Sequence, residues 1–270
     1  MKNRKTGLLV AALTAVTAMA LVAPMAQAKV PVPPYERFAG CPSPEEDPLV
    51  VICNRAVIKS GNFKMGSKNV PITSPITLKG GLYEDGTLHA NAEGGLSPSK
   101  QKVPGGVVGL TGLTWLLELL GSEALTLYAV TELAGQPSLT EGKLKLPIRV
   151  HLINSTLGNN CYVGGFTNPI VLNLTTETTS PPPPNKPITG KSPEFSFTED
   201  GVIHLNNGTY VDNSFAAPGA SGCVLTLFGF IPISINGLVN SQSGLPSPAG
   251  TNETVQNFDL EAVGPLLAYP

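Results

Sequence analysis

The hydrophobic positions of this chain come in short runs rather than in a 3.6-residue rhythm. Val-, Ile-, Leu- and Thr-rich stretches alternate with clusters of Gly, Pro, Asn and Ser, the pattern of strands bounded by turns. Strands are expected at 49–53, 76–78, 124–133, 146–153, 170–175, 202–205 and 223–231. The dipeptide Pro-Ile begins at Pro71, Pro75, Pro147, Pro169, Pro187 and Pro232, each time just before or within such a run. Proline is tolerated at strand starts and edges. The spacing predicts an all-β chain of the sandwich or barrel kind. One stretch departs from it: residues 113–120, Leu-Thr-Trp-Leu-Leu-Glu-Leu-Leu, closed by Gly121, predict a short helix with Thr114 as N-cap. This helix is apolar nearly all round, so burial between layers is expected for it and for the lone Trp115, a lid over an apolar pocket being the alternative.

A longer-range regularity lies over these runs. Glu84-Asp85-Gly86-Thr87-Leu88-His89-Ala90-Asn91 recurs 115 residues later as Glu199-Asp200-Gly201-Val202-Ile203-His204-Leu205-Asn206. Pro71-Ile72-Thr73 with Pro187-Ile188-Thr189, and Pro104-Gly105 with Pro218-Gly219, repeat at nearly the same shift. Upstream, the word at 61–66 resembles that at 159–164 at a shift of 98, so a second copy would carry a 17-residue insertion, found in the Thr/Pro-rich stretch near 175–187. Its run Pro181 to Pro184 is expected to be an exposed, extended polyproline segment. These words imply an internal duplication, with two related sandwich- or barrel-like halves at 29–140 and 141–270. Within each word Asp-Gly supplies a tight hairpin turn. His89 and Asn91, like His204 and Asn206, would share one strand face, with Leu88 and Ile203 on the core side.

The first 28 residues read as a signal peptide: Lys2, Arg4 and Lys5, then an apolar run at 7–22, then Ala26-Gln27-Ala28. The run is too short for a stable bilayer span, so cleavage is expected, leaving a secreted or envelope-associated chain. Three of the 17 basic residues and none of the 19 acidic ones lie in this leader, so the mature net charge is −5, which argues against nucleic acid as a partner. Charged residues are only 13% of the chain, a composition expected of a turn-rich β protein with Thr, Ser and Asn outside, an envelope component or a second copy as partner being the alternative. Cys41, Cys53, Cys161 and Cys223 all follow the leader without a Cys-x-x-Cys pair, so two disulfides are expected. The pairing Cys41–Cys53 and Cys161–Cys223 keeps each loop inside one half.

The words Val103-Pro-Gly-Gly-Val-Val-Gly-Leu-Thr-Gly-Leu-Thr-Trp115, Leu157-Gly-Asn-Asn-Cys-Tyr162, Pro181-Pro-Pro-Pro-Asn-Lys-Pro-Ile-Thr-Gly190 and Val211-Asp-Asn-Ser-Phe-Ala-Ala-Pro-Gly-Ala-Ser-Gly-Cys223 resemble a group of uncharacterised secreted actinobacterial proteins. The resemblance implies export from a Gram-positive-type cell, with the sequons at Asn154, Asn173, Asn207 and Asn252 unmodified. It carries over no catalytic residue.

Chemistry-bearing motifs are sparse. No serine sits in the Gly-x-Ser-x-Gly frame of an α/β hydrolase. Ser97-Pro98-Ser99-Lys100 has the spacing of a Ser/Lys nucleophile, but Pro98 opposes the helix it needs, and Lys59-Ser60-Gly61 lies on the wrong side of it. His89, His151 and His204 form no close pair, so neither metal nor cofactor is expected. A low-ranked ligand site is Glu84, Asp85, His89 and Asn91 with Glu199, Asp200, His204 and Asn206, brought together by pseudo-symmetry. Glu84 with Glu199, or Asp259 with Glu261, would be the carboxylates of a glycosidase. The reading that results is an exported, non-catalytic binding or structural protein. A hydrolase of envelope polymer with its site between the halves, and an apolar-ligand carrier, are the alternatives.

Overall fold

The computed structural model describes residues 29–227 and 231–270; the leader lies outside the described residues. A 3-10 turn (Glu36–Phe38) precedes β1 (Ile52–Met65), β2 (Lys68–Ile72), β3 (Ile76–Leu82), β4 (Leu88–His89), β5 (Gly95–Ser97) and β6 (Lys100–Lys102). Two helices follow, α1 (Gly106–Thr111) and α2 (Trp115–Ala124), then β7 (Tyr128–Leu133), β8 (Ser138–Thr140), β9 (Lys143–Ile153), β10 (Tyr162–Val163) and β11 (Ile170–Leu174). The chain continues through β12 (Glu194–Phe197), β13 (Ile203–Asp212), β14 (Ala220–Ser221), β15 (Val224–Leu227), β16 (Ile231–Ser234), α3 (Asn236–Ser243), β17 (Glu253–Val263) and α4 (Pro265–Ala268).

One antiparallel sheet runs β12-β13-β17-β1-β3-β4, with β2 on β1 and β5 on β3. The second runs β14-β10-β9-β7-β6, with β8 and β11 on β9, and β15 pairs with β16 as a separate ribbon. The sheets pack face to face on a core that joins Leu78, Leu88, Tyr210 and Phe258 of the first to Ala129, Leu146, Ile148 and Leu172 of the second. Both sheets draw strands from either side of residue 140: β1 pairs with β17 over nearly its whole length, and β7 pairs with β9.

Alternation explains which residues face this core, once two bulges are counted. On β17, Thr254, Gln256, Phe258, Leu260 and Ala262 share one face without interruption. Opposite it, the register of β1 slips between Ile58 and Ser60, so Ile58 and Phe63 both point inward across a change of parity. The register of β13 slips between Leu205 and Gly208, with Asn207 at φ 58°. Both bulges are tied to one carboxylate. Lys59 Nζ lies 2.8 Å from Asp259 Oδ1, and the Asn207 N–H donates to the same oxygen at 2.8 Å. Partial burial by itself would raise the Asp259 carboxyl, but the Lys59 hydrogen bond and the Asn207 N–H outweigh it and hold it below the usual carboxylate range.

A second, smaller core lies apart from the first. Tyr35, Phe38 and Cys41 pack there with Cys53, Val202, Val263, Ala268 and Tyr269. The Val32 N–H donates to Ala268 O at 3.0 Å, so the two ends of the described chain meet. Cys41–Cys53 and Cys161–Cys223 are both bonded, as the sequence suggests, a state suited to an oxidising compartment. Among the described residues no helix is long and apolar enough to cross a membrane.

The two repeated words form the same turn. Gly86 N donates to Tyr83 O and Tyr83 N to Thr87 O; Gly201 N donates to Thr198 O and Thr198 N to Val202 O, all at 3.0 Å. Only the glycines take positive φ, 81° and 78°, so each turn is a wider loop closed by a left-handed glycine and not a two-residue turn.

Four sequence expectations need correction. The apolar helix exists, but Leu116 is its one buried side chain; Trp115 is 45% exposed, and Leu117, Leu119 and Leu120 also face solvent. An all-round apolar pattern does not say which side is covered. Thr114 has helical backbone angles and makes no side-chain cap, and the helix continues past a break at Gly121 to Ala124, inside the stretch expected as strand. The stretch expected as one strand at 223–231 holds β15 and only the first residue of its antiparallel partner β16, with 228–230 outside the described residues. The Thr/Pro-rich insertion is exposed at Pro182, Pro183 and Pro184 but doubles back, with Thr178 bridged to Thr189 and the Thr179 N–H bonded to Ile188 O.

Candidate functional site

Between the two sheets the core is not filled. A cavity of about 230 Å³ is lined by Ile52, Asn54, Ala56, Leu78, Leu82, Leu88, Leu139, Leu144, Ile203, Leu205, Tyr210, Leu260 and Ala262. A smaller space of about 20 Å³ adjoins it at Ala56, Leu78, Leu144 and Tyr210, and beyond that, across Gln256, lies one of about 50 Å³ between Gln101 and Leu172. Well-packed interiors hold few voids larger than a water molecule; this space is an apolar pocket between the strands that opens to solvent on one side and not a sealed void. Its origin is local: Ala56 and Ala262 are the short inward side chains of β1 and β17, set across from the half-buried Leu139 and Leu144 of the facing sheet. Several lining residues, among them Ile52, Leu82, Ile203 and Leu260, are only half-buried.

Two polar side chains on these linings, Asn54 and Gln101, are held in place. Asn54 Nδ2 donates to Gly80 O at 3.0 Å. Gln101 Oε1 accepts from the backbone N–H of Thr73 and Ser74, and its amide nitrogen donates to Ser74 O and Ser99 Oγ. The ring of Tyr210 stacks on Phe258 at 4.2 Å, and burial pushes its phenol up to about 12. The lining therefore carries no carboxylate, imidazole or ammonium group.

The residues singled out as a possible ligand site lie elsewhere. Glu84 and Asp85 are exposed on the first turn, where the hydrogen bonds of Thr87 hold the Asp85 carboxyl below its ordinary range. His89 stacks on Tyr83 at 3.8 Å, and Asn91 Nδ2 donates to Ala39 O and Cys41 O. Glu199 and Asp200 are exposed on the second turn; the Thr198 hydroxyl bonds to the Asp200 carboxylate and holds it low, while Tyr35 donates to the Asp200 carbonyl. His204 Nδ1 is 3.6 Å from Glu261 Oε1, and Asn206 pairs in register with Glu194. Strands β17, β1 and β3 separate β13 from β4, so the two sets stand about 19 Å apart on opposite margins of one sheet. The structure does not bring them together, and Glu84 and Glu199 are too distant to flank one glycosidic bond. Their apolar neighbours do converge: Leu88 of the first word and Ile203 and Leu205 of the second line the cavity.

Asp259 and Glu261 share one face of β17, but each is paired. Glu261 Oε2 lies 3.2 Å from both Arg55 Nη1 and Arg37 Nε, the latter outside hydrogen-bond geometry. Ser97 and Lys100 sit on β5 and β6, not on a helix. A cluster that sequence reading did not single out joins Glu132 and Arg149 at 2.6 Å and Glu132 and His151 at 3.3 Å, with the guanidinium 4.3 Å from the Tyr162 ring and 4.1 Å from that of Phe166. It occupies cross-strand positions on β7, β9 and β10, contacts that only the sheet register reveals. No group of three or more potential metal ligands occurs among the described residues. Helix α2 does not border the interior cavity; its Leu117 and Ser122 line a separate open groove of about 570 Å³ with Val103, Pro104 and Leu125.

No protein-family model, curated protein or solved structure matches this chain.

Proposed function

We propose that this chain is an exported, non-catalytic binding protein that holds a slender apolar molecule between its two sheets, acting outside the cell or at its envelope. The observation that carries the reading is the apolar cavity of about 230 Å³. An apolar cavity of ~150 Å³ already takes a benzene-sized molecule. Leader-like residues 1–28 and the two disulfides support export. The carboxylates of the hydrolase alternative are either far apart or ion-paired. The equal turns at Gly86 and Gly201 support the reading of the two words as copies of one ancestral hairpin whose strands now share a single sandwich.

The test is to fill the space. In Ala56→Leu the added methyl groups enter the cavity and bury apolar surface. Binding of a fluorescent apolar probe, and its displacement by a medium-chain aliphatic compound, is expected to weaken at least tenfold while the thermal midpoint holds or rises. Unchanged probe binding by a folded Ala56→Leu protein would contradict the reading.

A further inference from the structure

Among the described residues the lining holds one fully buried polar atom without a hydrogen-bond partner. Gln256 is 4% exposed, and its Oε1 has no hydrogen-bond partner among the described residues. Its orientation follows from its neighbours. Thr254 Oγ1 donates its single proton to Asn62 O at 2.9 Å, so toward Gln256 it acts as an acceptor. The amide nitrogen of Gln256 must therefore face Thr254, at 3.1 Å, which turns the carbonyl oxygen away from it. Gln256 borders both small spaces, and Tyr210 borders the smaller of them together with the main cavity. A buried acceptor left without a donor is destabilising, and a ligand that supplies the donor relieves it.

Resting on the cavity reading above, the geometry points to a more definite ligand: an uncharged aliphatic alcohol, its chain in the main cavity and its hydroxyl donating to Gln256 Oε1. The space of about 20 Å³ beside Gln256 and Tyr210 is of the size one hydroxyl needs. A hydroxyl carries one donor and two acceptor positions, so it can donate to the glutamine and accept from the phenol. An ionised fatty acid lacks the donor, and the lining offers no cation to offset the burial of its charge. An alkane fills the chain space and leaves the carbonyl unmet.

The test compares 1-octanol, 1-methoxyoctane and octanoate by calorimetric titration of the mature protein at neutral pH. The ether keeps the chain and the oxygen but removes the donor. Octanol is expected to bind roughly tenfold more tightly than the ether, with octanoate weakest, and Gln256→Leu or Gln256→Met is expected to bring alcohol and ether to within about twofold. Equal binding of alcohol and ether by the native protein, or tightest binding of octanoate, overturns the inference and leaves the cavity reading standing. Binding of none of the three overturns the cavity reading itself.

Discussion

Tyr210 and Gln256 are direct cross-strand partners on β13 and β17, and both side chains border the space between the sheets. The pair sets the chemical character of the interior at its midpoint. Burial raises the Tyr210 phenol from 10.0 to about 12, so the neutral form is favoured in the fold. A group whose folded value is raised contributes stability that is complete below its unfolded value and lost as pH climbs through the folded one. Denaturant unfolding at pH 8 and pH 11 is therefore expected to show a larger alkaline loss of stability for the native protein than for Tyr210→Phe. Equal losses would place the phenol in contact with solvent.

Asp259 works in the opposite sense. Its carboxyl is held low by Lys59 and Asn207, so its contribution is present above the ordinary value of 3.8 and lost as pH falls through the lowered one. Asp259→Asn is expected to cost about 1 kcal/mol at neutral pH, a figure held down by the exposure of the ion pair. Because the variant lacks the titrating group, the gap from the native protein should close as the pH falls through the range in which Asp259 protonates. A pH-independent gap would mean that packing around the bulges, not the charge of Asp259, holds them.

Gly86 and Gly201 close identical turns in different surroundings. A Cβ on Gly86 would lie 1.9 Å from the Leu139 carbonyl oxygen, whereas on Gly201 it would meet only the end of the Leu267 side chain at 2.8 Å. Both alanine variants bear the cost of a positive φ, about 1 kcal/mol. Gly86→Ala is expected to cost about 2 kcal/mol more than Gly201→Ala in chemical unfolding, because a backbone oxygen cannot step aside as a leucine methyl can. Equal costs would mean that the hairpin at 83–89 moves freely against β8.

The two disulfides close loops of different length, with sequence separations of 12 and 62. Loop-closure entropy gives about 3 kcal/mol for the first and about 4 kcal/mol for the second. Serine replacement of Cys161 and Cys223 together is expected to lower stability more than replacement of Cys41 and Cys53. The reverse order would show that the bridge of Cys41–Cys53 within the small core matters more than the length of chain it ties.

Local features of the fold were legible in the sequence and global ones were not. The strands around Ile76, Leu146 and Ile170 announced themselves by β-branched runs, and the cysteine pairing came from keeping each loop inside one half of the chain. β17 escaped notice because Glu253, Gln256, Asn257, Asp259 and Glu261 dilute its apolar face, although Val255 and Phe258 fall on opposite faces of a regular strand. Pairing of β1 with β17 joins residues some 200 positions apart, which no local pattern encodes. The polar positions of the repeated words drew attention as chemistry, yet Leu88 and Ile203 beside them are the residues that reach the cavity. The cavity itself is set by what Ala56 and Ala262 omit, visible only once their strands are placed against the facing sheet.

The most direct measurement is an isotope-filtered nuclear Overhauser experiment on the methyl-labelled chain of residues 29–270 with bound 1-octanol. Contacts from the aliphatic chain to the methyl groups of Leu78, Leu144 and Leu260, together with contacts to the Tyr210 ring, are expected. Contacts confined to Leu117 and Val108 in the open groove, with none to the three interior leucines, would contradict a ligand held between the sheets.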